Sequence, residues 1–182
     1  MDGLQNKELM TELNEKKSTE HYSILAKIFH WGFVILFIYA IFKQINDINQ
    51  LENTSLLKFE IIFAVLFVLF VVIRFIYMKK TQTSSLPTNT PKIQKIAAKL
   101  VHYGMYLSVT VIAVTGLMIG ALFWFGYKSG FLIEIIVSLH EFSVTSTYWL
   151  IGVHVLGALY HRFLRDGVWS SMVPFWNKEK KL

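Results

Sequence analysis

The stretch His140–Asp166 reads HEFSVTSTYWLIGVHVLGALYHRFLRD, an apolar segment carrying histidines at 140, 154 and 161. Spacings of fourteen and seven are nearly whole turns of a helix with about 3.5 to 3.6 residues per turn, so one helical face carries all three imidazoles. At about 1.5 Å rise per residue, His140 and His154 stand roughly 21 Å apart, enough for two sites at two depths of one membrane.

The rest of the chain agrees with a membrane setting. Of its 182 residues 54% are hydrophobic and 15% aromatic, too apolar for an ordinary soluble domain. The chain has no cysteine, which excludes disulfides, thiolate-held clusters and covalent haem attachment, and leaves histidine as the obvious ligand for any haem. The net charge of +6 is confined to segments flanking apolar runs, which is how membrane topology distributes charge; nucleic acid is not an expected partner.

Four apolar runs follow one another. The first, Ile24–Phe42, contains His30-Trp31 and has Lys27 near its start, where the side chain snorkels to the headgroups. The second, about Phe59–Met78, is apolar on all sides, with Glu60 at its start and Arg74 near its finish. The third, about Ile96–Phe125, contains His102, Gly104, Gly116 and Gly120; small residues let helices or a flat ligand approach closely. The fourth is about Glu141–Phe163. Between Phe125 and Leu139 the sequence predicts an aromatic and glycine turn, then an apolar piece too short to span and lying at the interface. Trp124, Phe125, Tyr127, Tyr148 and Trp149 read as an outer aromatic belt. Thr81–Pro91 is a loop by composition. The expected architecture is an all-α, integral membrane four-helix bundle over residues 23–167, between a cytoplasmic N-terminal tail (1–22, without a secretory signal pattern) and a basic cytoplasmic C-terminal tail (168–182).

Orientation follows from the basic residues. Lys7, Lys16, Lys17 and Lys27, then Arg74, Lys79, Lys80, Lys92, Lys95 and Lys99, then Arg162, Arg165, Lys178, Lys180 and Lys181 fall at one end, against Lys43, Lys58 and Lys128 at the other. The positive-inside rule puts both termini and the middle loop in the cytoplasm. His30, Arg74, Lys99, His102, His154 and His161 then gather in the inner half, and Glu60 and His140 lie in the outer half.

Charged groups at the centre of a span cost about 2.5 to 3.5 kcal/mol, and neutral histidine also needs partners. A lone histidine in a span is ordinarily explained by a hydrogen bond to a neighbouring helix. Three in register, with His30 at the level of His154, are better explained by bis-histidine haem ligation in a bundle core. Copper or zinc is the alternative, although residues fourteen apart on one helix cannot share one small ion. Gly152 and Gly157 near His154 read either as helix-packing positions or as clearance for a porphyrin face.

Phe29-His30-Trp31, Arg74, His102-x-x-x-Tyr106-Leu107 with Gly116, then His140, Gly152, His154, His161 and Asp166, then Met172-x-Pro174, together resemble the bacterial cytochrome b561 family, related to the b-type subunits of nickel-iron hydrogenases. The resemblance runs over about Ser23–Trp176. It implies two haems b, each taking one ligand from the fourth helix: His154 paired with His30 on the inner haem, His140 on the outer. The family's outer partner is a histidine fourteen residues before the arginine, a position that here holds Glu60. Three outcomes stay open: the outer haem is lost, it is bound by His140 alone with an exchangeable sixth position, or Glu60 ligates it. Snorkelling of Glu60 beside Lys58 is the plainer alternative. In the inner cluster Arg74 and Lys99 read either as markers of the inner interface or, functionally, as cations that pair with haem propionates, while His102 or His161 relays protons to a quinone, ubiquinone or menaquinone. Lys99 stands where some members have histidine.

The implied function is electron transfer between an outer-face donor and the quinone pool in a bacterial inner membrane. The donor is a dehydrogenase or hydrogenase partner subunit, or a small molecule such as superoxide. The alternative is a non-redox membrane anchor or partner-binding module retaining one structural haem. Neither donor nor oligomeric state is named by these residues.

Overall fold

The computed structural model describes residues 22–45, 47–81, 86–87 and 89–173. The expected N-terminal tail, nearly all of the Thr81–Pro91 loop's first half and most of the basic C-terminal tail lie outside them. Four long helices form the molecule: α1 (Ile24–Phe42), α2 (Thr54–Thr81), α3 (Lys92–Trp124) and α4 (Phe131–Leu164); a short α5 (Val168–Met172) follows. Each of the four long ones is long and apolar enough to cross a membrane.

Local chemistry sets where each helix begins and ends. Ser23 caps α1 by accepting the Ala26 N–H at 3.1 Å, satisfying a donor that has no partner inside the helix. Asn53 does the same for α2, its Oδ1 accepting from Ser55 N at 3.0 Å and Leu56 N at 3.3 Å. This cap starts α2 five residues before the apolar run does. Pro91 opens α3, where its missing N–H costs nothing.

The fourth span corrects the sequence reading. The piece expected to lie at the interface is the first part of α4, which begins after Gly130 (φ 106°) and runs for 34 residues. Ile133 and Ile136, both buried, pack into a cluster with Leu51, Leu57, Ile119 and Phe123. This tertiary burial makes FLIEIIVSL continuous with the span behind it. Tyr148 and Trp149 therefore stand near the middle of α4, away from the helix end where the aromatic belt was expected, whereas Trp124, Phe125 and Tyr127 are exposed at the α3–α4 turn.

The helices pack in chain order, α1 on α2, α2 on α3 and α3 on α4, whereas α1 and α4 face each other without comparable packing. The spine is α3: 39% of its most apolar 18-residue stretch is buried, against 6 to 11% for the other three helices. Without a hydrophobic drive between helices in lipid, close backbone approach and interhelical hydrogen bonds must hold them. Both are present. Gly120 lets α2 close on α3, since a Cβ there would meet Ile61 Cγ1 at 2.8 Å. Between α3 and α4, Thr147 is fully buried, with its hydroxyl 2.9 Å from Ser108 Oγ and 2.8 Å from the Ser143 carbonyl oxygen.

This up-and-down order puts the start of α1, the end of α2, the start of α3 and the end of α4 at one end, called here the basic end. Ser23 Oγ lies 2.9 Å from the Tyr77 hydroxyl, and Trp31 Nε1 donates to the Met172 carbonyl at 3.1 Å. The second contact ties α1 to α5.

Candidate functional site

At the basic end α1, α2, α3 and α4 each contribute one group to a single cluster: His30, Arg74, His102 and His154. The His30 and His154 ring centroids are 6.4 Å apart, across the loosely packed space between α1 and α4. His102 lies nearer His154, at 4.9 Å and edge-on at 88°. Arg74 Nη2 donates to His30 Nδ1 at 3.0 Å, and its guanidinium carbon sits 4.9 Å from the Phe33 ring and 5.5 Å from the Tyr106 ring.

The proton positions follow from donor and acceptor capacity. The Ala98 carbonyl carries no hydrogen, so His102 Nδ1 donates to it, at 2.6 Å, and His102 Nε2 is left bare. Arginine only donates, so His30 Nδ1 accepts and its proton sits on Nε2. Arg74 itself is incompletely satisfied: its Nε is buried without a hydrogen-bond partner, and no carboxylate pairs with it among the described residues. Buried cations call for a counter-charge, and the free Nε edge beside Nη2 is the one that takes a carboxylate with two parallel bonds.

The other expected residues fall elsewhere. Lys99 is exposed. His161 Nδ1 is held 2.5 Å from Asp166 Oδ2, and Asp166 Oδ1 accepts from Val168 N at 3.1 Å, so the same carboxylate orients the imidazole and bonds the first residue of α5. Toward the opposite end His140 packs on α3, its Nδ1 2.9 Å from Thr115 Oγ1, with Gly116 beside the ring. Glu60 forms an ion pair with Lys43, mostly buried on both sides, instead of standing beside Lys58. The Lys43 ammonium also lies 4.4 Å from the Phe63 ring centroid. A Cβ added at Gly152 or Gly157 would meet nothing within 4 Å, so neither is a helix-packing position among the described residues.

Thr115, Lys43 and Ala98 were not legible as site residues. The one sequence signal was periodic: Thr147 stands midway between His140 and His154, and Ser108 and Thr115 repeat that seven-residue step on α3.

A model of one family, prokaryotic cytochrome b561, matches residues 21–175. The chain belongs to the prokaryotic cytochrome b561 family. It is thus a membrane b-type cytochrome of electron transfer, and its family binds b-type haem. No curated protein and no solved structure matches the chain.

The cytochrome b561 residues fit a haem on observations internal to the chain. Two imidazoles on opposite sides of one metal, each bonded at about 2 Å, bring their ring centroids roughly 6 Å apart, close to the His30–His154 separation. The perpendicular His102 ring is too near to be that partner. No group of three or more His, Asp or Glu among the described residues is arranged to hold a small ion. Arg74 lacks an anion, and a propionate carboxylate is one. A carboxylate taking Arg74 also frees His30 Nδ1 to carry the proton, leaving Nε2 bare as ligation needs.

Proposed function

We propose that this cytochrome b561 holds haem b between His30 and His154 near its basic end, and moves electrons between a donor at the opposite face and a quinone at the basic end. The basic end faces the cytoplasm in this reading, with both termini inside, as the Lys and Arg distribution supports. The observation that carries the proposal is the His30–His154 pair at 6.4 Å with the buried, anion-seeking Arg74 beside it.

Bound haem supplies a one-electron couple. The chain's own residues do the rest. His154 and His30 come from helices that do not pack tightly on each other, so a flat ligand separates no helix contact. Arg74 supplies the positive charge for a carboxylate and passes His30 from the acceptor to the ligating tautomer. His102, anchored through Nδ1 to Ala98, presents Nε2 beside His154 and is not needed as a ligand; its bare nitrogen suits it to accept a proton. His161, held by Asp166, lies in the last turn of α4, where in this reading a quinone headgroup meets the membrane surface. A quinone takes up protons with its electrons, and these two imidazoles are the groups placed to deliver them.

The test uses the purified full chain in proteoliposomes. Ubiquinol or menaquinol should reduce the bound haem, and His161→Ala should slow that reduction without changing the oxidised spectrum. Haem that dithionite reduces but neither quinol reduces would favour the anchor reading, in which a haem is structural only.

A further inference from the structure

His140 is held differently from His30, and its partner decides which nitrogen it offers. Thr115 Oγ1 lies 2.6 Å from the Val111 carbonyl oxygen and 3.1 Å from that of Ile112. Neither carbonyl has a hydrogen, and two oxygens approach that closely only with a proton between them, so the single hydroxyl proton of Thr115 points back along α3. Toward His140 the hydroxyl oxygen has only lone pairs left. The 2.9 Å contact is therefore His140 Nδ1–H donating to Thr115 Oγ1, and His140 Nε2 is bare. An imidazole whose Nδ1–H is fixed by a second group and whose Nε2 is free is the arrangement of a metal-ligating histidine. Gly116, one residue on, lets the ring lie against α3: a Cβ there would reach Cε1 at 3.5 Å.

Among the described residues no second imidazole stands at this level. Of the other histidines described, His30, His102 and His154 are gathered at the basic end and His161 is bonded to Asp166. Glu60, which stands where the outer partner is expected, is committed to Lys43. Lys43 is the C-cap residue of α1, with its ammonium confined between Glu60 and the rings of Phe59 and Phe63. Moving the carboxylate to a metal would leave this cation mostly buried and unpaired, which is unfavourable.

We infer that His140 is the lone protein ligand of a second haem, that Thr115 is the positioning residue selecting its ligating nitrogen, and that the opposite face of this site admits a small diatomic ligand. The inference rests on the haem reading above and separates the two sites by chemistry: a closed pair of imidazoles at the basic end, and one imidazole at the other.

The experiment is performed on full-length protein expressed with haem in excess, reading haem per chain, the ferric spin state by electron paramagnetic resonance, and carbon monoxide binding to the dithionite-reduced form. Half of the haem should be high-spin and bind carbon monoxide. His140→Ala should remove that half and leave the low-spin half in place. Thr115→Val should weaken retention of the high-spin haem roughly 10- to 100-fold, in line with loss of a partner that orients a metal-bound histidine, while Thr115→Ser retains it. Glu60→Gln should change neither spin state nor carbon monoxide binding. Two low-spin haems with no carbon monoxide binding, a single haem indifferent to His140→Ala, or a spin change in Glu60→Gln would each overturn the inference while leaving the inner haem standing. Protein with no haem at all would overturn the underlying functional reading instead.

Discussion

His154 has two imidazole neighbours, and they are not equivalent. His30 faces it at 6.4 Å from across the bundle, whereas His102 meets it edge-on at 4.9 Å. Only the first separation suits two rings on opposite sides of one metal. His30→Ala should therefore abolish the low-spin signal of the inner haem, and His102→Ala should keep the signal and lose quinol reactivity; the reverse pattern in electron paramagnetic resonance would exchange their roles. A second residue-scale consequence concerns Lys43 and Glu60. Lys43→Met leaves a carboxylate mostly buried without its partner and should destabilise the protein by about 1 to 3 kcal/mol, less than the ~3 to 5 of a fully buried pair. Removing both charges in Lys43→Met/Glu60→Leu should recover most of that loss in thermal unfolding in detergent. The histidines themselves were legible because spacing on one helix is a property of sequence. The Lys43–Glu60 pair was not, because it depends on how the connection between α1 and α2 folds back, and tautomers depend on partners from other helices.

Helix existence was legible from apolar length alone, and helix boundaries were not. The sequence places the second span at Phe59, whereas the cap at Asn53 starts α2 at Thr54. It divides α4 at Leu139 because FLIEIIVSL is too short to span by itself, and continuity across Leu139–His140 depends on Ile133 and Ile136 packing against α3 and the α1–α2 connection. Close helix approach was legible only as a class of small residues. Of the described glycines Gly120 is the tightest, since an added Cβ falls 2.8 Å from Ile61 Cγ1, close to the backbone of a β-branched side chain that would have to shift. Gly120→Ala should cost about 1 to 3 kcal/mol by overpacking, whereas Gly152→Ala, with nothing within 4 Å, should leave thermal stability unchanged. Equal effects of the two substitutions would show that α2 does not close on α3 at this point.

At the scale of the whole molecule, the four spans in chain order and the basic residues at one end make a single statement about topology. Reporter fusions at the N-terminus, the middle loop and the C-terminus should all report the cytoplasm, and a fusion in the α3–α4 turn near Lys128 should report the opposite side. Along α4 the column of His140, Thr147, His154 and His161 joins two sites roughly 21 Å apart along the helix, with the dry Thr147–Ser108 contact midway. The fold keeps α3 as a buried spine and leaves the α1–α4 side loosely packed, which is where His30 and His154 face each other. The most direct measurement on that arrangement is the reduced-minus-oxidised absorption spectrum of the purified chain with haem counted per protein, alongside His154→Ala. Sharp low-spin b-type bands that vanish in His154→Ala are the expected result. Absence of haem after haem-replete expression, or low-spin bands that survive His154→Ala, would contradict the assignment of His30 and His154 as its ligands.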